Sequence, residues 1–257
     1  MILSRVTKHV KEQNWFAVFI DFLIVVVGVF MGLQVTNWHA EQVGEQQAQV
    51  LLKRLSVDLK NDHDAMMSVV NYHIVVKQYA MRAVDALNGE NAIKDEDFVI
   101  ATYQASQINP AWSNRATYNE MLSTGQINLI KNEPLKDALF AYYSGDYATD
   151  PLNTTIAPYR EFIRGEMPIA IQNAIKKDCG DQQIEVAHTF SNTLPANCDL
   201  PLADELFKKT ALFLRAKSEM LSNLQYQIAV NDTQVDNLKR LAVESLTLIQ
   251  AIEEAQP

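Results

Sequence analysis

The chain has 257 residues, a formal net charge of -9 and only 8 Gly and 8 Pro. It is therefore neither low-complexity nor linker-like, and it is long enough for one sizeable domain or two small ones. Its acidity excludes nucleic acid as a main partner, because neutralising phosphates takes clustered Lys and Arg, and it disfavours lying flat on anionic lipid.

The first predicted element is a membrane span. Phe16 to Val35 reads FAVFIDFLIVVVGVFMGLQV, about 20 residues that rise roughly 30 Å as a helix, the thickness of the hydrocarbon core. Trp15 and Trp38 bracket the run where amphipathic rings settle at the two interfaces, so the span is taken as 15–38. A cleaved signal peptide would end in small residues, whereas this run ends in Thr36, Asn37, Trp38 and His39. Arg5, Lys8 and Lys11 precede the span, and no Lys or Arg follows it until Lys53. The positive-inside bias thus puts residues 1–14 in the cytoplasm and 39–257 on the far side.

At about 100° per residue, Asp21, Val25, Gly28, Gly32 and Thr36 fall on one side of this helix. Gly28 and Gly32 form a GxxxG, small residues that let a second helix approach backbone to backbone. A carboxylate in lipid is costly, so Asp21 on the same stripe points toward protein or water. Three readings stay open for it: contact with headgroup water, an interhelical hydrogen bond, or carriage of a proton. The stripe predicts homo-oligomerisation through the transmembrane helix.

A long amphipathic helix is predicted over 40–87, running on from the anchor, with apolar residues in alternating steps of four and three and with Asp62 and His73 at core positions. Asn88 and Gly89 supply its stop. Short helices follow over 95–178, punctuated by turn signals such as Asn109–Pro110 and Thr124–Gly125, with Glu133 and Pro134 opening one of them. Cys179 and Cys198 are an even pair in a segment read as exported, which predicts a disulfide closing a loop over 179–198. A second long helix is predicted over 201–255, opening after Pro201 and open to a break at Asn231, Asp232 and Thr233. Two long helices can pair antiparallel, which returns the C-terminus toward the membrane. The fold class is all-α: a single N-terminal transmembrane helix followed by an exported helical bundle.

Residues with chemistry are sparse. The five His residues show no HExxH and no close pair, and neither CxxC, GxSxG nor a phosphate-binding glycine loop occurs. Asp62, His63 and Asp64 are the densest cluster, but consecutive residues on a helix point in different directions. No catalytic, metal or cofactor site is assigned. Tyr142, Tyr143, Tyr147 and Tyr159, with Trp112 and Tyr118, suit either a packed core or a ligand pocket.

The anchor NWFAVFIDFLIVVVGVFMGLQVTNW at Asn14 to Trp38 and the run TYNEMLSTGQINLIKNEPLKDALFAYY at Thr117 to Tyr143 resemble a family of uncharacterised bacterial membrane-anchored proteins. The resemblance implies bacterial origin, and with it an inner-membrane location and a periplasmic domain; it transfers no functional residue. The architecture also looks like the ion-driven stator and energy-transducing subunits of bacterial envelopes. The expected function is a non-enzymatic structural or interaction protein whose partners are the lipid bilayer, its own copies and another envelope protein. The alternatives are a proton- or ion-coupled subunit using Asp21 and a periplasmic small-ligand sensor.

Overall fold

The computed structural model describes residues 15–186 and 189–255; the segment read as the cytoplasmic N-terminus, 1–14, lies outside them. Trp15–Asn88 form one helix, α1, of 74 residues, roughly 110 Å at helical rise. The anchor and the first long amphipathic helix are thus a single rod with no break at residue 39. No proline falls within it, and its end is set as expected. Gly89 takes a φ of 75°, and the Glu90 N–H donates to the Asp85 carbonyl at 3.0 Å, the pairing that closes a helix through a left-handed residue. The apolar part of α1 is long enough to cross a membrane, and none of it is buried inside the molecule.

The rest of the chain packs on the outer part of this rod. In order come α2 (Asp95–Gln104), α3 (Ala116–Ser123), a 3₁₀ turn (Gln126–Leu129), α4 (Glu133–Ser144), α5 (Pro151–Thr154), α6 (Tyr159–Glu166), α7 (Ile169–Asp178), β1 (Gln182–Val186), β2 (Thr189–Thr193), α8 (Asp204–Arg215) and α9 (Met220–Glu254). Asn132 caps α4 by accepting from the Leu135 N–H at 3.0 Å, with Pro134 in the first turn, where its missing N–H costs nothing.

The long helices α1 and α9 run antiparallel. His73 Nδ1 lies 3.0 Å from Asn231 Oδ1, His63 Nδ1 lies 3.0 Å from the Ala242 carbonyl, and Leu51, Leu52 and Leu55 share a core with Leu248 and Ile252. Partners descend α1 as they ascend α9, which brings the C-terminus back toward the anchor. Among the described residues three larger apolar clusters follow one another along the rod, with a small fourth of Tyr72, Val76 and Leu194. The proximal one joins α1 to α3, α4 and the end of α9. The middle one centres on Met66, Val70, Tyr147 and Leu238. The distal one gathers Ala80, Phe98, Tyr159, Ile171, Phe207 and Leu224.

Three expectations are corrected. The segment between the cysteines is not a plain loop: β1 and β2 pair antiparallel, from Gln182 against Thr193 to Val186 against Thr189. The strands are short and mostly polar, and Ile184 and Val186 on either side of Glu185 are too brief an alternation to mark a strand in sequence. The predicted disulfide is present, Cys179 to Cys198 with Cα atoms 5.6 Å apart, and it clasps the base of this hairpin. The second long helix is two helices, because α8 lies on α2 through Phe207, Ala211 and Leu214 and its Arg215 Nη1 reaches Asp95 Oδ1 at 2.5 Å. The chain must then turn before α9 can align with α1, and residues 216–219, all compatible with helix, do not announce that turn. Finally, Asn231, Asp232 and Thr233 interrupt nothing. Asn231 is buried against His73 and Lys77 Nζ reaches Asp232 Oδ1 at 2.7 Å, so tertiary contacts override their weak helix propensity.

Candidate functional site

Two places hold the residues singled out in the sequence. The first is the open face of the anchor. A side chain at Gly28 or Gly32 would meet nothing within 4 Å, and Val25 is half exposed. The Thr36 hydroxyl turns back on its own helix and donates to the Gly32 carbonyl at 3.0 Å, which satisfies it without a partner from elsewhere. Trp15 and Trp38 are exposed at the two ends of the run. All of these residues are bare within one chain; the bundle first reaches α1 at Gly44 and Glu45, and Ala48 is the first buried residue among those described.

The second is a polar cluster inside the bundle, where α1 meets α4 and the segment leading into α3. Asp62 is fully buried. Its Oδ1 accepts the Asn114 backbone N–H at 2.8 Å. One turn earlier on α1, Asp58 accepts from Asn114 Nδ2 at 3.0 Å and from the Thr117 N–H at 3.3 Å, so these two carboxyl groups stake the start of α3 to the rod. The Tyr147 hydroxyl lies beside Asp62 but donates its proton to the Trp112 carbonyl at 2.9 Å. Among the described residues Asp62 Oδ2 has no hydrogen-bond partner, and neither have the hydroxyls of Tyr142 and Tyr143. Arg115 closes the cluster, its guanidinium donating to the Tyr143 carbonyl.

Burial pushes the Asp62 carboxyl up to about 7 against the pull of the Asn114 N–H, and the neighbouring Asp58 and Asp146 raise it further. Burial likewise raises Tyr142, Tyr143 and Tyr147, with the Asp62 charge adding to each. In the same core, burial lowers His73, partly offset by its bond to Asn231. The sequence showed Asp62 and the tyrosines separately; their convergence depends on the path of residues 105–115, which carries no periodic signal.

Asp62, His63 and Asp64 diverge: His63 turns to α9 while Asp62 turns to residue 114. Among the described residues no group of three or more His, Cys, Asp or Glu side chains is placed to hold a metal ion. Tyr118 stacks on Tyr143 at 4.1 Å between ring centroids, and the Tyr159 hydroxyl donates to the Thr102 carbonyl at 2.6 Å. These rings pack as core. A cavity of about 650 Å3 does open elsewhere, at the root of the bundle, between Gln42, Gln46, Gln49 and Leu52 of α1 and Ile130 and Leu135 opposite. The ion pair of Lys131 with Glu45, 2.6 Å long, lies on its wall. No family model, no curated protein and no solved structure matches the chain.

Proposed function

We propose that this chain is a non-enzymatic interaction protein of a bacterial inner membrane. Residues 1–14 lie in the cytoplasm, the bundle lies in the periplasm, the anchor self-associates, and the bundle binds other envelope proteins. The observation that carries this reading is the single helix α1, whose first part is long and apolar enough to span a membrane and whose remainder is the central rod of the bundle. A separate anchor on a flexible linker would only tether, whereas a rod with no joint holds the domain at fixed height and orientation, which is what a docking platform needs. Arg5, Lys8 and Lys11 supply the orientation, and the open GxxxG face supplies the self-contact.

The test is isolation from native membranes in mild detergent, followed by native mass spectrometry. Assemblies above the 29.0 kDa chain that retain other envelope proteins are expected; a lone monomer would sink the proposal. The cavity beside the membrane favours a second reading, a sensor of a small amphiphilic ligand. That reading predicts a ligand-dependent rise in melting temperature which Leu52→Trp, filling the cavity, abolishes.

A further inference from the structure

The face that carries the two glycines does not end with the membrane. Val25 and Val43, Gly32 and Val50, and His39 and Val57 are each eighteen residues apart, about five full turns at 3.6 residues per turn, so they stand above one another along α1. Val43, Val50 and Val57 recur every seventh residue and are 39%, 61% and 52% exposed, while Ala48, Leu51, Leu55 and Leu59, on the opposite side, are buried under the bundle. Charge keeps off this face near the membrane: Glu45 turns away to Lys131, and Glu41 stands one heptad before the buried Ala48. A groove of about 350 Å3 runs beside it between α1 and α3, with Val43, Gln47, Val50 and Arg54 on one wall and Glu120 and Gln126 on the other.

We infer that a second copy of this chain covers this face from Gly28 to Val57, so that the two rods stay paired beyond the membrane, parallel and in register. The inference rests on self-association of the anchor and extends it into water. A partner that follows the face must leave the lipid in step with α1 for about 44 Å of helix, which requires a membrane helix continuing as an equally straight rod. This chain is such a helix. Two copies inserted in the same direction and held at the same depth by Trp15 and Trp38 bring each residue level with its own counterpart, the self-complementary arrangement of a two-fold pair. Glycine then stands where the backbones approach most closely. Valine stands where a two-stranded parallel seam favours β-branched residues. The water-side seam is half a heptad seam, since Gln46 and Lys53 occupy positions where a full one carries Leu, so it depends on the membrane contact to bring it together.

Single cysteines test the inference in the full chain. The two native cysteines, Cys179 and Cys198, bond to each other, leaving an introduced thiol as the sole free one. Val25→Cys, Val43→Cys, Val50→Cys and Val57→Cys variants are oxidised in native membranes beside Glu41→Cys and Glu45→Cys, which are exposed but off the face. A disulfide-linked band at twice the 29.0 kDa chain is expected at all four valine positions and not at the two glutamate positions. In a Gly28→Leu, Gly32→Leu background the Val50→Cys band should fall roughly tenfold, the change produced by about 1.4 kcal/mol of association energy. Crosslinking at Val25→Cys with none at positions 43, 50 and 57 overturns the inference and leaves anchor association standing. Absence at all four overturns both. Adducts of another mass at position 50 give the face to a different protein and overturn it as well, as does equal crosslinking at positions 41 and 45.

Discussion

Asp62 shows how one side chain can set the pH response of a domain. In the folded chain its carboxyl is raised by burial to about 7, against about 3.9 for an unfolded Asp. The folded state therefore holds this proton more tightly than the unfolded state. The contribution is full below about pH 4, is lost as pH rises toward 7, and is constant above that. A shift of about three units corresponds to on the order of 4 kcal/mol, large against the roughly 5 to 15 kcal/mol stability of a domain. Asp62→Asn keeps an acceptor for the Asn114 N–H and adds no charge. The urea midpoint of the wild type should fall between pH 5 and 8 more steeply than that of Asp62→Asn; parallel profiles would show that the carboxyl does not titrate there. His73 works in the opposite sense. Burial lowers its folded value, so its contribution is lost as pH falls below about 6.5, the unfolded value. His73→Gln should therefore lessen the loss of stability on acidification, read as a smaller fall in melting temperature from pH 7 to 5.

The proposed span gives the helix α1 two environments, and its two sides then serve different ends. Along the bundle one side of α1 is buried under α3, α4 and α9 and the other is left open, whereas along the apolar run every side is bare. Replacing Gly28 and Gly32 by Leu should leave insertion intact, since Leu is at least as apolar, while weakening oligomers seen by crosslinking; Val27→Ala with Phe30→Leu, off the stripe, should matter less. An unchanged oligomer in the glycine variant would make the helix a plain tether. The run of α1 was readable because periodic apolar residues and the Asn88–Gly89 stop are local signals, and so was the opening of α4 at Glu133 and Pro134. The Cys179–Cys198 pair was readable by elimination, there being only two cysteines. The turn between α8 and α9 was not readable, because it exists to let α8 lie on α2, a relation between distant segments. For the same reason Asn231 looked like a helix breaker until His73 was found beside it. The hairpin escaped because residues such as Gln182, Gln183 and Asn192 are held in it by backbone pairing, and its apolar pattern is only the Ile184 and Val186 pair. Asp62 stood out as a polar residue on an apolar stripe, but its tyrosine neighbours lie about 80 residues away in sequence and only packing reveals them.

The antiparallel return of α9 along α1 brings the end of α9 back toward the apolar run of α1. Ile252 packs with Leu51 and Leu55 in the proximal cluster, so with the apolar run as the proposed span the end of α9 falls on the bundle's side of the bilayer. That arrangement makes orientation testable from the end of the chain. If Arg5, Lys8 and Lys11 set the proposed orientation, a reporter active only outside the cytoplasm, fused after Pro257, should be active, and a reporter that requires the cytoplasm should be silent. The bond between Cys179 and Cys198 gives an independent check, because such bonds persist in oxidising compartments and are rare in the cytosol. Protein isolated without reductant should take up no thiol reagent under denaturing conditions, and reduction should add about two daltons, one hydrogen per sulfur. Moving the positive charges tests the cause. Arg5→Glu, Lys8→Glu and Lys11→Glu, combined with Glu41→Lys and Glu45→Lys, reverse the bias across the span. A fraction of the chains should then insert with the bundle inside, where reporter activity is lost and both thiols react. Full reporter activity in that variant would mean that something other than the flanking charge sets the orientation, and would remove the basis for placing the bundle in the periplasm.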